Sequence, residues 1–176
     1  MNDFDSVINS TIKREGGDKF TNDPLDSGGA TKYGISLRFY RSDIDPYANS
    51  DTIKALTEEG AISIYKEHFW LKYNLDKIPL SYAASKIFDI GVNIGTRTAC
   101  KIAQRALQVV YGYGCCEDDG VFGVKTLDLM NKMVGLLSQQ RYEAALTEGF
   151  ACYYRAIKDG PSKSRFINGW LKRVYS

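Results

Sequence analysis

Apolar and polar positions alternate along most of the chain with the period of an α-helix. Phe4, Val7, Ile8 and Ile12 share one face of a first predicted helix, which should end near Glu15 because two glycines follow it. Further helices are predicted at residues 57–70 with Thr57 as cap, from Ser81, from Thr96 as cap, and at 124–134, 138–157 and 165–174. The pattern therefore predicts a mainly helical chain.

One segment departs from this pattern. Residues 18–36 are rich in Gly, Asn, Asp, Pro and Ser, which is typical of turns. Within them, residues 31–36 would form a short strand or hairpin arm. The predicted fold class is mainly α (α+β), with a small β-hairpin near residues 20–36.

Length and charge narrow the function classes. The 176 residues suit one domain, or one domain with a small appended module. A net charge of +2 lacks the basic surplus typical of nucleic-acid binding, so no such partner is predicted. No apolar run is long enough for a membrane span. We expect a monomer.

The N-terminus and the cysteines indicate a compartment. Residues 1–5 are acidic and polar and lack the pattern of a secretory signal, which predicts synthesis in the cytoplasm without a signal peptide. Cys100, Cys115, Cys116 and Cys152 form no Cys-x-x-Cys pair. We expect four reduced, mostly buried thiols.

The histidine count excludes several enzyme classes. His68 is the one histidine, whereas zinc hydrolases usually need two or three histidine ligands. A serine hydrolase would need a Gly-x-Ser-x-Gly elbow, which is absent, as are phosphate-binding glycine loops. A cysteine peptidase would need a cysteine to meet His68, and nothing local supports that. The chemistry is therefore predicted to rest on carboxylates, with no metal and no cofactor.

The candidate carboxylates lie at or shortly after the end of the first predicted helix. Glu15 ends the first predicted helix, where the negative end of the helix dipole favours the protonated carboxyl that a general acid requires. Asp23 and Asp26 follow on the turn-rich stretch, and Thr31 and Tyr33 supply hydroxyls. Glycosidic cleavage usually needs one carboxylic acid and a second carboxylate. The same residues would equally suit a solvated helix end and ordinary turns.

The motif resembles a known family. Glu15-Gly16-Gly17, the segment NDPLDSGG at 22–29 and TKYGIS at 31–36 are similar to the signature of the glycoside hydrolase family 108 muramidases. These are phage endolysins and related bacterial proteins, some labelled secretion activators. The resemblance implies a lysozyme-like fold with Glu15 as the catalytic acid.

The second carboxylate stays open between two residues. The turn at residues 18–21 is longer than in the family, so either Asp23 or Asp26 would face Glu15. Spacing favours Asp26, assisted by Thr31.

The resemblance continues downstream. Phe69-Trp70 and the segment FDIGVNIG at 88–95 match further family motifs, and QRAL at 104–107 with DGVFGVKT at 119–126 resembles an associated peptidoglycan-binding region. This implies a lysozyme-like catalytic region at 1–95 and a helical peptidoglycan-binding-like region at 96–176, packed as one unit.

Four residues are candidate substrate contacts: Tyr33, Trp70, Asn93 and Asp119. Asn93 would hydrogen-bond an N-acetyl group or cap a helix. Asp119 would contact sugar or form a turn before a helix. Trp70 belongs to the residue class on which sugars stack.

These features predict a peptidoglycan hydrolase that cleaves the N-acetylmuramic acid to N-acetylglucosamine bond of the glycan strand, its partner. It would act on the bacterial cell wall after release or specialised export. The alternatives are a lytic transglycosylase, which leaves an anhydro sugar, and a non-catalytic wall-binding or secretion-accessory protein.

Overall fold

The computed structural model describes residues 4–22, 28–157 and 166–176. The chain divides into two compact units, one ending at His68 and the other beginning at Phe69. We call them the N-terminal unit and the C-terminal unit and describe each by itself.

The N-terminal unit combines helices with one hairpin. Its elements are α1 (Phe4–Arg14), β1 (Thr31–Lys32), β2 (Ile35–Ser36), α2 (Leu37–Asp43), α3 (Ser50–Lys54) and α4 (Glu58–Tyr65). The apolar face of α1 is buried, which is the main stabilisation expected for an amphipathic helix. Thr57 caps α4 by accepting a hydrogen bond from Gly60 N–H, as predicted from the sequence.

The hairpin is small but tightly specified. Its antiparallel register pairs Thr31 with Ser36 and Lys32 with Ile35. The two residues between the strands, Tyr33 and Gly34, both have positive φ, at 54° and 76°. Two such residues form the turn whose twist matches the flanking strands. Glycine adopts this conformation readily, but for tyrosine it is unusual.

The C-terminal unit is helical. Two 3₁₀ turns (Leu71–Tyr73 and Leu75–Lys77) precede α5 (Ser81–Ile94), α6 (Thr96–Tyr111), α7 (Val124–Met133), α8 (Leu137–Ile157) and α9 (Ile167–Tyr175). A π-helical turn (Lys66–Trp70) spans the boundary between the two units, with Lys66 in the N-terminal one. Helix α6 packs against α5 and α8. The aromatic rings of Phe88, Phe122 and Phe150 lie in this core with no exposed surface.

The last helix is held by polar contacts to α5. Arg173 donates two hydrogen bonds to the carboxylate of Asp89, at 3.0 and 3.2 Å. The side chains are 14% and 9% exposed. The ammonium of Lys86 donates to the carbonyl of Val174 at 2.8 Å. Buried charges need such partners, so α9 is part of the packed unit.

The predicted fold class, mainly helical with a small hairpin, is confirmed. Helices α2 and α3 were not predicted, because they are short and lack a long apolar period. Thr96 is the first residue of α6 and not its cap, since Gly95 occupies the cap position and supplies a positive φ of 90°. None of the described helices is long and apolar enough to cross a membrane.

Candidate active site

Glu15 lies directly beyond the last residue of α1 and is half-buried. The helix ends there because Gly16 and Gly17 take positive φ values of 100° and 59°. Gly17 N–H then donates back to the carbonyl of Ile12 at 3.0 Å, which closes the helix end. The Gly-Gly stop therefore fixes where the Glu15 side chain leaves the helix.

The hairpin turn is bonded to this helix end. Tyr33 N–H donates to the carbonyl of Gly17 at 3.0 Å. Residues 16 positions apart in sequence are thereby joined by one backbone bond. The left-handed conformation of Tyr33 is thus part of a fixed junction, as expected of unusual backbone angles near functional sites.

Gly34 brings the turn against Glu15. A Cβ added at Gly34 would lie 2.7 Å from Glu15 Cβ and 2.6 Å from Tyr65 Oη. Such distances leave no room for a side chain. Gly34 is therefore required both for its positive φ and for the close approach of the hairpin backbone to Glu15.

Tyr65 supports the turn from the other side. Its side chain, on α4, is completely buried, and its hydroxyl donates to the carbonyl of Tyr33 at 2.9 Å. The sequence indicated that Tyr65 points inward but gave no sign of this bond. Gly34 and Tyr65 are thus residues that shape the site and that sequence reasoning did not assign to it.

Thr31 begins the hairpin beside this junction. Its backbone exchanges two hydrogen bonds with Thr21, at 2.9 and 2.8 Å, so the strand is extended by one bridge. Its hydroxyl donates to the carbonyl of Gly29 at 3.1 Å. The hydroxyl oxygen can still accept a hydrogen bond, for example from a water molecule.

Tyr33 is 7% exposed. Burial first, and then the carboxylates of Asp18, Glu58 and Glu59, raise the pKa of its hydroxyl above the ordinary 10.0. The hydroxyl therefore stays protonated near neutral pH and can donate a hydrogen bond. Lys32 Nζ lies 5.3 Å from the centre of the Tyr33 ring.

The two candidate partner carboxylates, Asp23 and Asp26, lie outside the described residues. The preference for Asp26 stays a prediction. The described part of the site consists of Glu15, the turn at Tyr33 and Gly34, and Thr31.

Trp70 is a core residue. Its side chain is 2% exposed and packs edge-on against Phe88, with ring centres 5.5 Å apart. A buried ring offers no face to a sugar, so the prediction that Trp70 contacts substrate is wrong. The sequence pattern of a helical aromatic residue is the same whether the ring packs in the core or stacks on a sugar. Here the ring packs in the core.

Asn93 is exposed near the end of α5, and its Oδ1 accepts a hydrogen bond from the Tyr154 hydroxyl at 2.9 Å. Tyr154 is itself buried and stacks on Trp170 at 5.2 Å. Asn93 does not cap α5, whose C-cap is Gly95. An exposed amide held in one orientation keeps the predicted N-acetyl contact available.

Asp119 organises a loop. Its Oδ1 accepts hydrogen bonds from Gln104 Nε2 and from Val121 N–H, both at 2.9 Å. These two bonds lower its pKa. Gln104 also accepts from Gly120 N–H at 2.8 Å, so one buried amide holds the whole turn. This geometry favours the turn interpretation of Asp119 over sugar contact.

The described residues contain no group of three or more His, Cys, Asp or Glu side chains placed to hold a metal ion. His68 packs edge-on against Phe39 with ring centres 5.9 Å apart, which is a structural role.

A family model described as glycosyl hydrolase 108 matches residues 8–95, half of the chain. The chain belongs to the glycosyl hydrolase 108 family. The matched region includes Glu15, the whole hairpin and Asn93. Its substrate class is accordingly a glycan, and the predicted resemblance is confirmed for this part of the chain.

The structure is also similar to that of Brucella abortus SagA, with a TM-score of 0.77. The two sequences are 28% identical, and the similarity covers 98% of this chain and 89% of that chain. No curated protein matches the chain. The lysozyme-like, mainly helical fold of this glycosyl hydrolase 108 member therefore extends over nearly its full length.

Proposed function

We propose that the chain is an N-acetylmuramidase that hydrolyses the glycan strand of peptidoglycan, with Glu15 as the general acid. The observation that supports this most strongly is the junction at Glu15. Two positive-φ glycines end the helix, and a hairpin turn is bonded to Gly17 and packed on the Glu15 side chain. A catalytic acid needs such a fixed position relative to the bond it cleaves.

In the proposed reaction, the Glu15 carboxyl protonates the glycosidic oxygen as the bond to it breaks. Asp26, or alternatively Asp23, acts as the second carboxylate, with Thr31 helping to position water. The hydroxyl of Tyr33 and the amide of Asn93 are proposed substrate contacts. No step requires a metal or a cofactor.

The region 96–176 is proposed to assist wall binding. This proposal rests on the resemblance of its motifs. The protein would reach the wall after release or by specialised export.

Purified sacculi test the function. The chain is expected to release fragments whose new reducing ends are N-acetylmuramic acid, which borohydride reduces and mass analysis detects. Products lighter by one water and resistant to borohydride would instead identify a lytic transglycosylase. Binding to sacculi without release of fragments would identify a non-catalytic wall protein.

Paired variants test the second carboxylate. Asp26→Asn is expected to lower the turnover rate more than Asp23→Asn, because its spacing fits the family pattern better. Equal melting temperatures would show that both variants fold. A larger loss in Asp23→Asn would assign the role to Asp23.

A further inference from the structure

A groove of about 550 Å³ lies in the N-terminal unit beside the hairpin. Gly28 and Gly29 form one side, and Leu37, Arg38 and Arg41 of α2 form another. The groove lies next to the proposed active site, because Gly29 of its wall accepts a hydrogen bond from the Thr31 hydroxyl. A ligand that occupies it would therefore lie close to the strand that carries Thr31.

Helix α2 does not contribute to the core. None of its residues is buried, yet its placement is fixed. Ser36 caps its first turn, and Arg41 Nε donates to the carbonyl of Ala48 at 2.7 Å. The helix begins directly after β2. Its first residue, Leu37, donates its backbone N–H to the carbonyl of Ala30 at 2.7 Å, next to the Gly28–Gly29 wall of the groove. Hydrogen bonds, and not burial of apolar side chains, therefore fix the position of α2.

The lining of the groove carries positive charge. Arg38 and Arg41 are three positions apart on α2 and so lie on one face of the helix. The described lining includes both guanidinium groups and no carboxylate. Neither arginine forms an ion pair with a described residue. The nearest acidic side chains in sequence are bonded elsewhere, Asp43 to the Ser42 hydroxyl and Asp45 to Tyr47 N–H.

Two guanidinium groups beside a glycine-lined wall suit a planar anion, because arginine binds carboxylates with paired hydrogen bonds. In peptidoglycan the sugar backbone is neutral when its lactyl groups carry peptides, and the free carboxylates lie on those peptides. We infer that the Arg38 and Arg41 groove binds a carboxylate of the stem peptide, so that the enzyme selects peptide-bearing glycan strands. This inference rests on the proposed function and specifies its substrate.

The test compares two soluble substrates and two matched double variants. One substrate is a set of uncross-linked glycan strands with intact peptides. The other is the same strands after an amidase has removed the peptides, which leaves free lactyl carboxylates. Arg38→Gln/Arg41→Gln removes the groove charges. Lys54→Gln/Lys66→Gln removes two exposed charges from the same unit outside the groove.

The arginine variant is expected to lose about tenfold in kcat/KM on peptide-bearing strands, mainly through KM, as one lost charge-assisted hydrogen bond implies. On peptide-free strands it should stay within about twofold of wild type, and the lysine variant should do so on both substrates. Arg38→Gln alone should show the same direction of change. Because the Arg38 guanidinium has no partner among the described residues, the Arg38→Gln protein should have the melting temperature of the wild type.

Equal losses on both substrates would overturn the inference and assign the groove to the lactyl carboxylate or to the sugar. Unchanged kinetics in the arginine variant would overturn it as well. If the wild-type enzyme cleaves both substrates and the arginine variant shows either of these two outcomes, the proposed function stands and only the groove assignment fails. Cleavage of neither substrate by wild type would overturn both.

Discussion

The two units use equally distinctive motifs in different ways. In the N-terminal unit, Gly17 and Gly34 bring backbone against the carboxyl-bearing residue Glu15. In the C-terminal unit, polar motif residues are held by other polar side chains. Asp89 pairs with Arg173, and Asp119 is held by Gln104. A motif built on positive-φ glycines thus surrounds the proposed chemistry, whereas a motif of paired polar groups stabilises helices and a loop.

Among the variants that leave Glu15 itself unchanged, the largest effect is expected from Gly34→Ala. The left-handed backbone costs alanine about 1 kcal/mol, and the added Cβ would press on Glu15 Cβ and Tyr65 Oη. Displacing Glu15, the proposed catalytic acid, should lower kcat on the order of a hundredfold. Activity on sacculi is measured beside melting temperature.

Gly135→Ala is the matched control for this variant. Gly135 has nearly the same φ, 74°, but nothing lies within 4 Å of an added Cβ. It should share the strain and keep its activity. Equal activity losses in the two variants would show that close packing at Gly34 is unimportant.

Asp89→Asn is expected to lower the stability of the protein without lowering its catalytic activity. The change removes the carboxylate charge that pairs with the largely buried Arg173, which should lower the free energy of unfolding by about 3 kcal/mol. Urea unfolding measures it, and activity at low temperature should persist. Asp118→Asn is the control, because the Arg105–Asp118 pair is 62% and 42% exposed and should contribute little. If Asp89→Asn is equally harmless, the ion pair does not hold α9.

The contact between Tyr154 and Asn93 gives a smaller effect. Tyr154→Phe removes one hydrogen bond and should lower stability by about 1 kcal/mol. If Asn93 also touches substrate, Asn93→Ala should raise KM while Tyr154→Phe changes it much less. Identical KM values in both variants and wild type would leave Asn93 a purely structural residue.

The smallest effect is expected at the thiols, all of which lie in the C-terminal unit. Burial raises the pKa of Cys100 to about 12. Burial together with Cys115 raises the pKa of Cys116 to about 12. Both should resist alkylation at pH 8, whereas exposed Cys152 should react. Activity should survive alkylation, reductant and chelator. Loss of activity with EDTA that zinc restores would contradict the metal-free mechanism.

Local chemistry explains what the sequence predicted correctly. The end of α1 and the hairpin follow from glycines and turn residues, whose preferences act within a few positions. The contacts of Gly34 with Glu15 and of Tyr65 with Tyr33 join distant residues, and no local pattern encodes them. Trp70 was misassigned because burial depends on what packs around it. Sequence therefore located the candidate acid but not the residues that hold it.

Glu15→Gln tests the central claim most directly. Glutamine keeps the size of the side chain but cannot protonate a leaving oxygen. Release of reducing ends from sacculi should fall by at least about a hundredfold, with unchanged melting temperature and unchanged binding to sacculi. A folded Glu15→Gln protein that retains more than a tenth of wild-type activity would contradict the assignment of Glu15 as the catalytic acid.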